Sequence, residues 1–227
     1  MNEGGGMRMN DLIQKGDMDI KILVLGMVST NCYIISNHKT KEAIIIDPAD
    51  KFDRIKQYIT EAGLNIVGIF LTHGHFDHIF AATELTSYYH SKLYASKEEK
   101  SLLNDANMNC SAGVGRPFTL EADVYLTDQE LIHLAGMQLK VIHTPGHTAG
   151  SVCYHIMNHG VLLSGDTLFL ESVGRTDLPT GNGAKIVQSI NEKLMVLDDN
   201  IIVYPGHGDA TSIAYERENN PYLTGWE

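Results

Sequence analysis

The sequence predicts an α/β (α+β) protein whose two halves each supply a β-sheet, the sheets packed face to face with helices outside. Two observations carry this. Short apolar runs rich in β-branched residues recur along both halves, the pattern of buried strands. Segments with helical apolar spacing fall between them in each half, so groups of strands alternate with helices twice over.

Taken in order, residues 1–18 are polar and Gly-containing and read as a flexible tail. Ile20–Leu25, Cys32–Ser36 and Ala43–Ile46 follow as three strands joined by short turns. Phe52–Ala62 places Phe52, Ile55 and Ile59 on one side of a helix, and Gly63 supplies its stop. Ile66–Leu71 is a strand, a helix is expected from about His78 to Tyr89, Leu93–Ala95 is a short strand and Lys97–Leu103 is helical. Asn104–Pro117 has turn-forming residues and no periodicity, so it reads as a loop, either a pocket wall or lid or a plain surface excursion. Strands are expected at Gln138–Ile142, Ser151–Ile156, Val161–Leu163 and Ile201–Tyr204. Between the last two, Ala184–Leu197 carries a stripe of Ile186, Ile190, Leu194 and Leu197. Thr211 or Ser212 caps a final helix that ends before Pro221.

At 227 residues the chain buries roughly 70–75% of its unfolded surface and needs no disulfide to do so. Cys32, Cys110 and Cys153 are odd in number and form no Cys-x-x-Cys, which points to a reduced, cytoplasmic protein. Cys32 and Cys153 lie in apolar contexts and read as core; Cys110, in a polar stretch, reads as a passive loop residue, with a reactive thiol as the alternative. The formal net charge of −11 argues against nucleic acid as partner. No apolar run approaches the roughly 20 residues of a membrane span. No Gly-rich phosphate loop occurs, so no nucleotide cofactor is expected; the partner expected is a small-molecule substrate.

The chemistry concentrates in Leu71-Thr72-His73-Gly74-His75-Phe76-Asp77-His78, directly after an apolar run. Three later turns repeat that placement: Thr144-Pro145-Gly146-His147, Ser164-Gly165-Asp166 and Tyr204-Pro205-Gly206-His207. Imidazole and carboxylate are metal ligands, and strand ends are where a sheet presents them. His73, His75, Asp77, His78, His147, Asp166 and His207 are too many for one tetrahedral ion. With Asp166 bridging, they suit two ions about 3.5–4 Å apart.

This order of residues resembles the metallo-β-lactamase superfamily, from about Ile20 to the C-terminus. Within it the chain is most similar to the glyoxalase II-like (hydroxyacylglutathione hydrolase-like) hydrolases. Supporting segments are Thr30-Asn31-Cys32-Tyr33, Ile46-Asp47-Pro48, Gly174 to Pro179, and Glu216-Arg217 with Asn220-Pro221. The resemblance implies a single domain over residues 19–227 with a four-layer αββα sandwich. It implies two divalent metal ions, zinc first, with iron and manganese as further fits. One ion would take His73, His75 and His147, the other Asp77, His78 and His207, with Asp166 shared. A bridging hydroxide would be the nucleophile, oriented by the catalytic Asp77, in hydrolysis of a thioester such as S-lactoylglutathione. Residues 208–227 alone follow His207, so the helical domain that contacts glutathione in full-length glyoxalase II has no counterpart, and another carrier thiol is open. Alternative readings are a mononuclear iron persulfide dioxygenase, a metallo-hydrolase of another ester, lactone, β-lactam or phosphodiester, and a non-catalytic binding module.

Other residues carry paired expectations. Asp47, ending an apolar run, either hydrogen-bonds the His loop from behind or shapes the turn before Pro48. Gly74 and Gly146 let the chain turn tightly around the ions. Arg175 either contacts an acidic substrate or pairs with Asp177, the reading favoured here. Glu216, Arg217 and Asn220 read as contacts that close the fold. His38, His90, His133, His143, His155 and His159 lie outside the pattern and read as surface or satisfied residues.

Overall fold

The computed structural model describes residues 12–223. In chain order the elements are β1 (Ile13–Lys15), β2 (Met18–Leu25), β3 (Thr30–Asn37), β4 (Glu42–Ile46), α1 (Phe52–Ala62), β5 (Asn65–Phe70), α2 (Phe76–Ile79) and α3 (Ala82–Tyr89). They continue with β6 (Leu93–Ser96), α4 (Lys100–Leu103), β7 (Val124–Leu126), β8 (Leu131–Leu134), β9 (Met137–His143), β10 (Val152–Ile156) and β11 (Val161–Gly165). The chain ends with β12 (Leu168–Phe169), β13 (Ser172–Val173), α5 (Gly183–Ser189), β14 (Ile202–Pro205), β15 (Thr211–Ser212) and α6 (Ile213–Asn219). β1 to β7 form one sheet in sequence order, and the second sheet runs β15-β14-β11-β10-β9-β8.

The apolar runs have no polar alternation because both sheet faces are buried. In β3, Cys32 and Ile34 face a core shared with Ile55, Ile59, Ala82 and Leu85 of α1 and α3. Tyr33 and Ile35, pointing the other way, meet Val141, Tyr154 and Leu163 of the second sheet. In the second sheet Leu162 and Val203 turn outward onto Ile186, Ile190, Leu194 and Ile213. Three cores therefore separate four layers, αββα, as expected.

The structure corrects several local expectations. Of the tail expected over residues 1–18, residues 1–11 lie outside the described residues, but Ile13–Lys15 pairs antiparallel with Met18–Ile20 as a hairpin. The helix expected from His78 to Tyr89 is two, Phe76–Ile79 and Ala82–Tyr89, with Phe80 and Ala81 between them. The break follows a tie to the turn after β4: the Ala81 amide donates to the Ala49 carbonyl at 3.1 Å, and the Ala49 amide to the His78 carbonyl at 3.1 Å. Lys97–Leu103 is a 3₁₀ turn followed by α4. Ala184–Leu197 is α5 continued by a π-helical turn over Ile190–Leu194. The extra residue in that turn keeps Ile186, Ile190 and Leu194 in one core despite the change of pitch. The short strands β7, β8, β12 and β13, two to four residues each, are not expected from the sequence. Ser212, rather than Thr211, caps α6, its hydroxyl accepting from the Tyr215 amide.

Candidate metal centre

Strand direction places the ligand-type residues. β9 and β11 are both antiparallel to β10, so they run the same way, and β14 is parallel to β11. The turns carrying His147, Asp166 and His207 therefore leave the second sheet at one end. The loop after β5 meets them there, with the Val152 amide donating to the Thr72 carbonyl at 2.9 Å. All seven residues expected from the sequence converge at this end, in overlapping groups of His73, His75 and His147, then His73, His78 and Asp166, then Asp77, His78 and His207.

In the first cluster, His147 Nε2 lies 2.9 Å from His75 Nδ1 and 3.2 Å from His73 Nε2. Nitrogens on a tetrahedral zinc ion with bonds of about 2.0–2.1 Å sit about 3.3 Å apart, so the three lone pairs address one point. In the second, His78 Nε2 and His207 Nε2 lie 3.3 and 3.2 Å from Asp77 Oδ2. Asp166 stands between them: Oδ1 is 3.4 Å from His78 Nε2, and Oδ2 is 3.5 Å from His207 Nε2 and 3.6 Å from His147 Nε2. His78 Nε2 and Asp166 Oδ1 are buried with no hydrogen-bond partner. Such orphaned groups are costly, and a cation satisfies both. The residues thus fit a divalent metal at each cluster.

The ring tautomers are set from behind. Thr72 Oγ1 donates to Asp47 Oδ2 at 2.6 Å, which leaves it to accept from His73 Nδ1 at 3.1 Å. His78 Nδ1 donates to Asp47 Oδ2 at 2.9 Å, and His147 Nδ1 donates to the Arg175 carbonyl at 2.7 Å. In each ring Nε2 is left to face the centre, the arrangement that orients a metal-binding imidazole. Asp47 therefore hydrogen-bonds the His loop as anticipated, the Thr72 amide completing its shell at 2.8 Å. Its φ of 51° is the left-handed turn conformation, so the turn-forming expectation holds as well.

The electrostatics divide the clusters. Burial, reinforced by neighbouring imidazoles, pushes the His73 pKa well down and that of His75 down to about 3, favouring the neutral ligand form. Burial also works against charge on His78, but Asp77, Asp47 and Asp166 outweigh it and hold its pKa above the ordinary value. The same contest, won by Asp166 and Asp77, raises His207 to about 9. Asp77 and Asp166, though largely withdrawn from solvent, are held below the usual carboxylate range by these imidazoles.

The glycines act differently from one another. Gly146 has φ of 149°, and a Cβ there would fall 2.4 Å from the Ile186 backbone. Gly74 has ordinary φ; its lack of a side chain matters because a Cβ would lie 2.7 Å from Leu102 and 2.8 Å from Leu103.

The centre lies in a cavity of about 510 Å³ whose further lining is Val28, Phe76, Cys110, Phe169, Arg175 and Leu178. Cys110 brings the Asn104–Pro117 segment into the pocket wall, and that segment is tied down by the Phe76 amide donating to the Asn109 carbonyl. Cys110 is thus a loop residue that also lines the cavity. Arg175 is bidentate to Asp177, Nε and Nη2 donating at 2.7 and 2.8 Å, as favoured from the sequence. Glu216 accepts from Thr211, Asn220 and the Glu171 amide, closing the fold. Cys32 and Cys153 are core residues. The six remaining histidines join no ligand group among the described residues.

Sequence reasoning assigned no roles to Thr30, Asn31 and Glu99. Thr30 Oγ1 donates to Asp77 Oδ2 at 2.7 Å, and Asn31 Nδ2 donates to the carbonyls of Pro205 and Gly208, on either side of His207. Their segment was visible in the sequence; their partners, some 47 and 174 residues away, were not.

Residues 25–207 match the model of the metallo-beta-lactamase superfamily. The hydroxyacylglutathione hydrolase GloC of Haemophilus influenzae is 34% identical over 212 residues, 91% of this chain and 98% of that protein. Among solved structures, the BLEG-1 B3 metallo-beta-lactamase superposes with a TM-score of 0.87 at 38% identity, covering 91% of this chain and all of the other. TTHA1623, solved in a di-iron-bound form, gives 0.79 at 29% identity over 89% and 99%. With its fold, its clustered His and Asp donors and its extended similarity all in agreement, the chain belongs to the metallo-β-lactamase superfamily.

Proposed function

We propose that this chain, a metal-dependent hydrolase of its superfamily, binds two divalent cations, zinc first, and hydrolyses acyl thioesters of small molecules. The convergence of seven donors into two clusters sharing Asp166 carries this reading. When bound, such ions supply Lewis acidity and a water of lowered pKa. The protein's own residues do the rest. Asp166 is placed to be shared by both clusters. Asp77, steadied by the Thr30 hydroxyl, is the carboxylate positioned to orient the attacking water. Phe76, Phe169, Val28 and Leu178 wall the cavity with apolar surface and exclude water from the rest of the acyl chain. Outside the clusters, the described residues lining the cavity offer no imidazole or carboxyl to act as a general acid, and Arg175 is paired with Asp177. A thiolate leaving group, of ordinary pKa about 8.5, departs without one.

The glutathione thioester named for the Haemophilus relative supports this class, because the two chains match over nearly the whole of that protein. The similarity to a B3 metallo-beta-lactamase favours β-lactam hydrolysis as a second reading. We place the protein in the cytoplasm on its three unpaired cysteines. No helix among the described residues is long and apolar enough to cross a membrane.

Elemental analysis of protein purified without added metal, followed by steady-state assays, tests the reading. The panel is S-lactoylglutathione, the same acyl group on N-acetylcysteamine and on coenzyme A, and a chromogenic cephalosporin. Two metals per chain and turnover of a thioester, abolished in Asp166→Ala, are expected. One iron per chain with oxygen uptake on a persulfide would favour the oxygenase alternative. No thioester turnover by metal-replete protein would overturn the proposal.

A further inference from the structure

Glu99 is 1% exposed and has no cationic partner among the described residues. It sits at the end of the 3₁₀ turn after β6, outside every ligand group. Its three hydrogen bonds come from the two segments that carry the first cluster. Oε2 accepts from the Gly74 amide at 2.9 Å, between His73 and His75. Oε1 accepts from Thr148 Oγ1 at 2.6 Å, next to His147, and from the Gly150 amide at 2.8 Å. A carboxylate is the side chain that accepts on both oxygens from donors on opposite sides. The fit is close: a Cβ on Gly150 would fall 2.5 Å from the Glu99 amide nitrogen and 2.6 Å from Oε1. A buried, unpaired carboxylate is an expensive way to join two loops, and an apolar contact would serve a purely structural purpose better. The second cluster is supported by other groups, Asp47 behind His78, Thr30 behind Asp77 and Asn31 behind His207.

We propose that Glu99 is a positioning residue that clamps the His73–His75 and His147 loops together and so sets the cation affinity of the first cluster alone. The inference rests on the two-cation reading above. Replacing Glu99 by Gln keeps the shape but turns an NH₂ toward one set of donors, which releases one loop from the other. Thr148→Val removes one of the three donors to Glu99, along with that hydroxyl's contact to Ser151, and leaves the carboxylate in place.

The test is titration of the full-length chain with Co²⁺ and Zn²⁺ against a competing chelator, following the Co²⁺ ligand-field spectrum. His75→Ala and His207→Ala assign the two binding events. Glu99→Gln is expected to weaken the first-cluster event about 10–100-fold and shift its spectrum, leaving the other within about twofold. Thr148→Val is expected to weaken the same event by less, and it carries the test should Glu99→Gln fail to fold. Equal weakening of both events, or of neither, overturns the inference while wild-type binding of two cations keeps the metal reading. A wild-type chain that binds no cation overturns both.

Discussion

Replacing Asp47 by Asn separates support of the metal centre from simple turn formation. The carboxylate receives three buried donors, the Thr72 amide at 2.8 Å, Thr72 Oγ1 at 2.6 Å and His78 Nδ1 at 2.9 Å. An amide has one acceptor oxygen, so one side must meet an NH₂ where it met an acceptor. The smaller loss keeps the oxygen toward Thr72 Oγ1 and His78 and opposes the Thr72 amide. A hydrogen bond to a charged group contributes about 1.5–3 kcal/mol. At about 2–4 °C per kcal/mol for a chain of this size, Tm should fall by about 3–12 °C. The larger effect is on the ion: without the charge behind it, His78 is a poorer ligand, and affinity should fall about 10–100-fold, or about 1.4–2.7 kcal/mol. Because Asp47 touches His78 directly but reaches His73 only through Thr72 Oγ1, the fall should be larger at the cluster of Asp77, His78 and His207 than at that of His73, His75 and His147. Chelator-competition titration with thermal melting measures both. A variant that loses stability but binds both ions as wild type does would show that Asp47 only shapes its turn.

Three further outcomes follow from the same geometry. A Cβ at Gly206 would lie 2.1 Å from Asp166 Oδ1 and 2.8 Å from His78 Cε1, so Gly206→Ala should displace the shared carboxylate and lower kcat/KM about 100-fold, and an unchanged kcat/KM would refute that crowding. The carboxylates raise His207 to about 9 and His78 above its ordinary value, so without an ion both contribute stability that is full below the unfolded His pKa of about 6.5; that of His207 is lost as pH rises through about 9, that of His78 as pH rises through its own raised pKa. Zn²⁺ competes with those protons; calorimetry at pH 7 in buffers of different ionisation enthalpy should show proton release, with zero release contradicting the assignment. Arg175 is 61% exposed and its pairing with Asp177 is screened by solvent, so Arg175→Ala should change kcat/KM for an uncharged thioester less than about threefold, and a larger loss would place Arg175 on the substrate.

What the sequence by itself determined was the chemistry carried by neighbours in the chain. The His73 to His78 motif, the three later turns and the strands leading into them are readable because ligand type and strand periodicity are local properties. The two-sided burial of β3, β4 and β11 is readable for the same reason, since their runs lack polar alternation. Tertiary structure alone decided which oxygen of Asp166 faces which cluster, that a 3₁₀ turn would hold a carboxylate behind the first one, and that Cys110 would reach the cavity. It also split the helix after the His loop, where the Ala81 amide bonds to Ala49 across the fold. These outcomes depend on groups some 20 to 90 residues apart meeting within about 3.6 Å. Loop geometry and the desolvation of the packed interior set such meetings, and neither is written in the residues of any one segment.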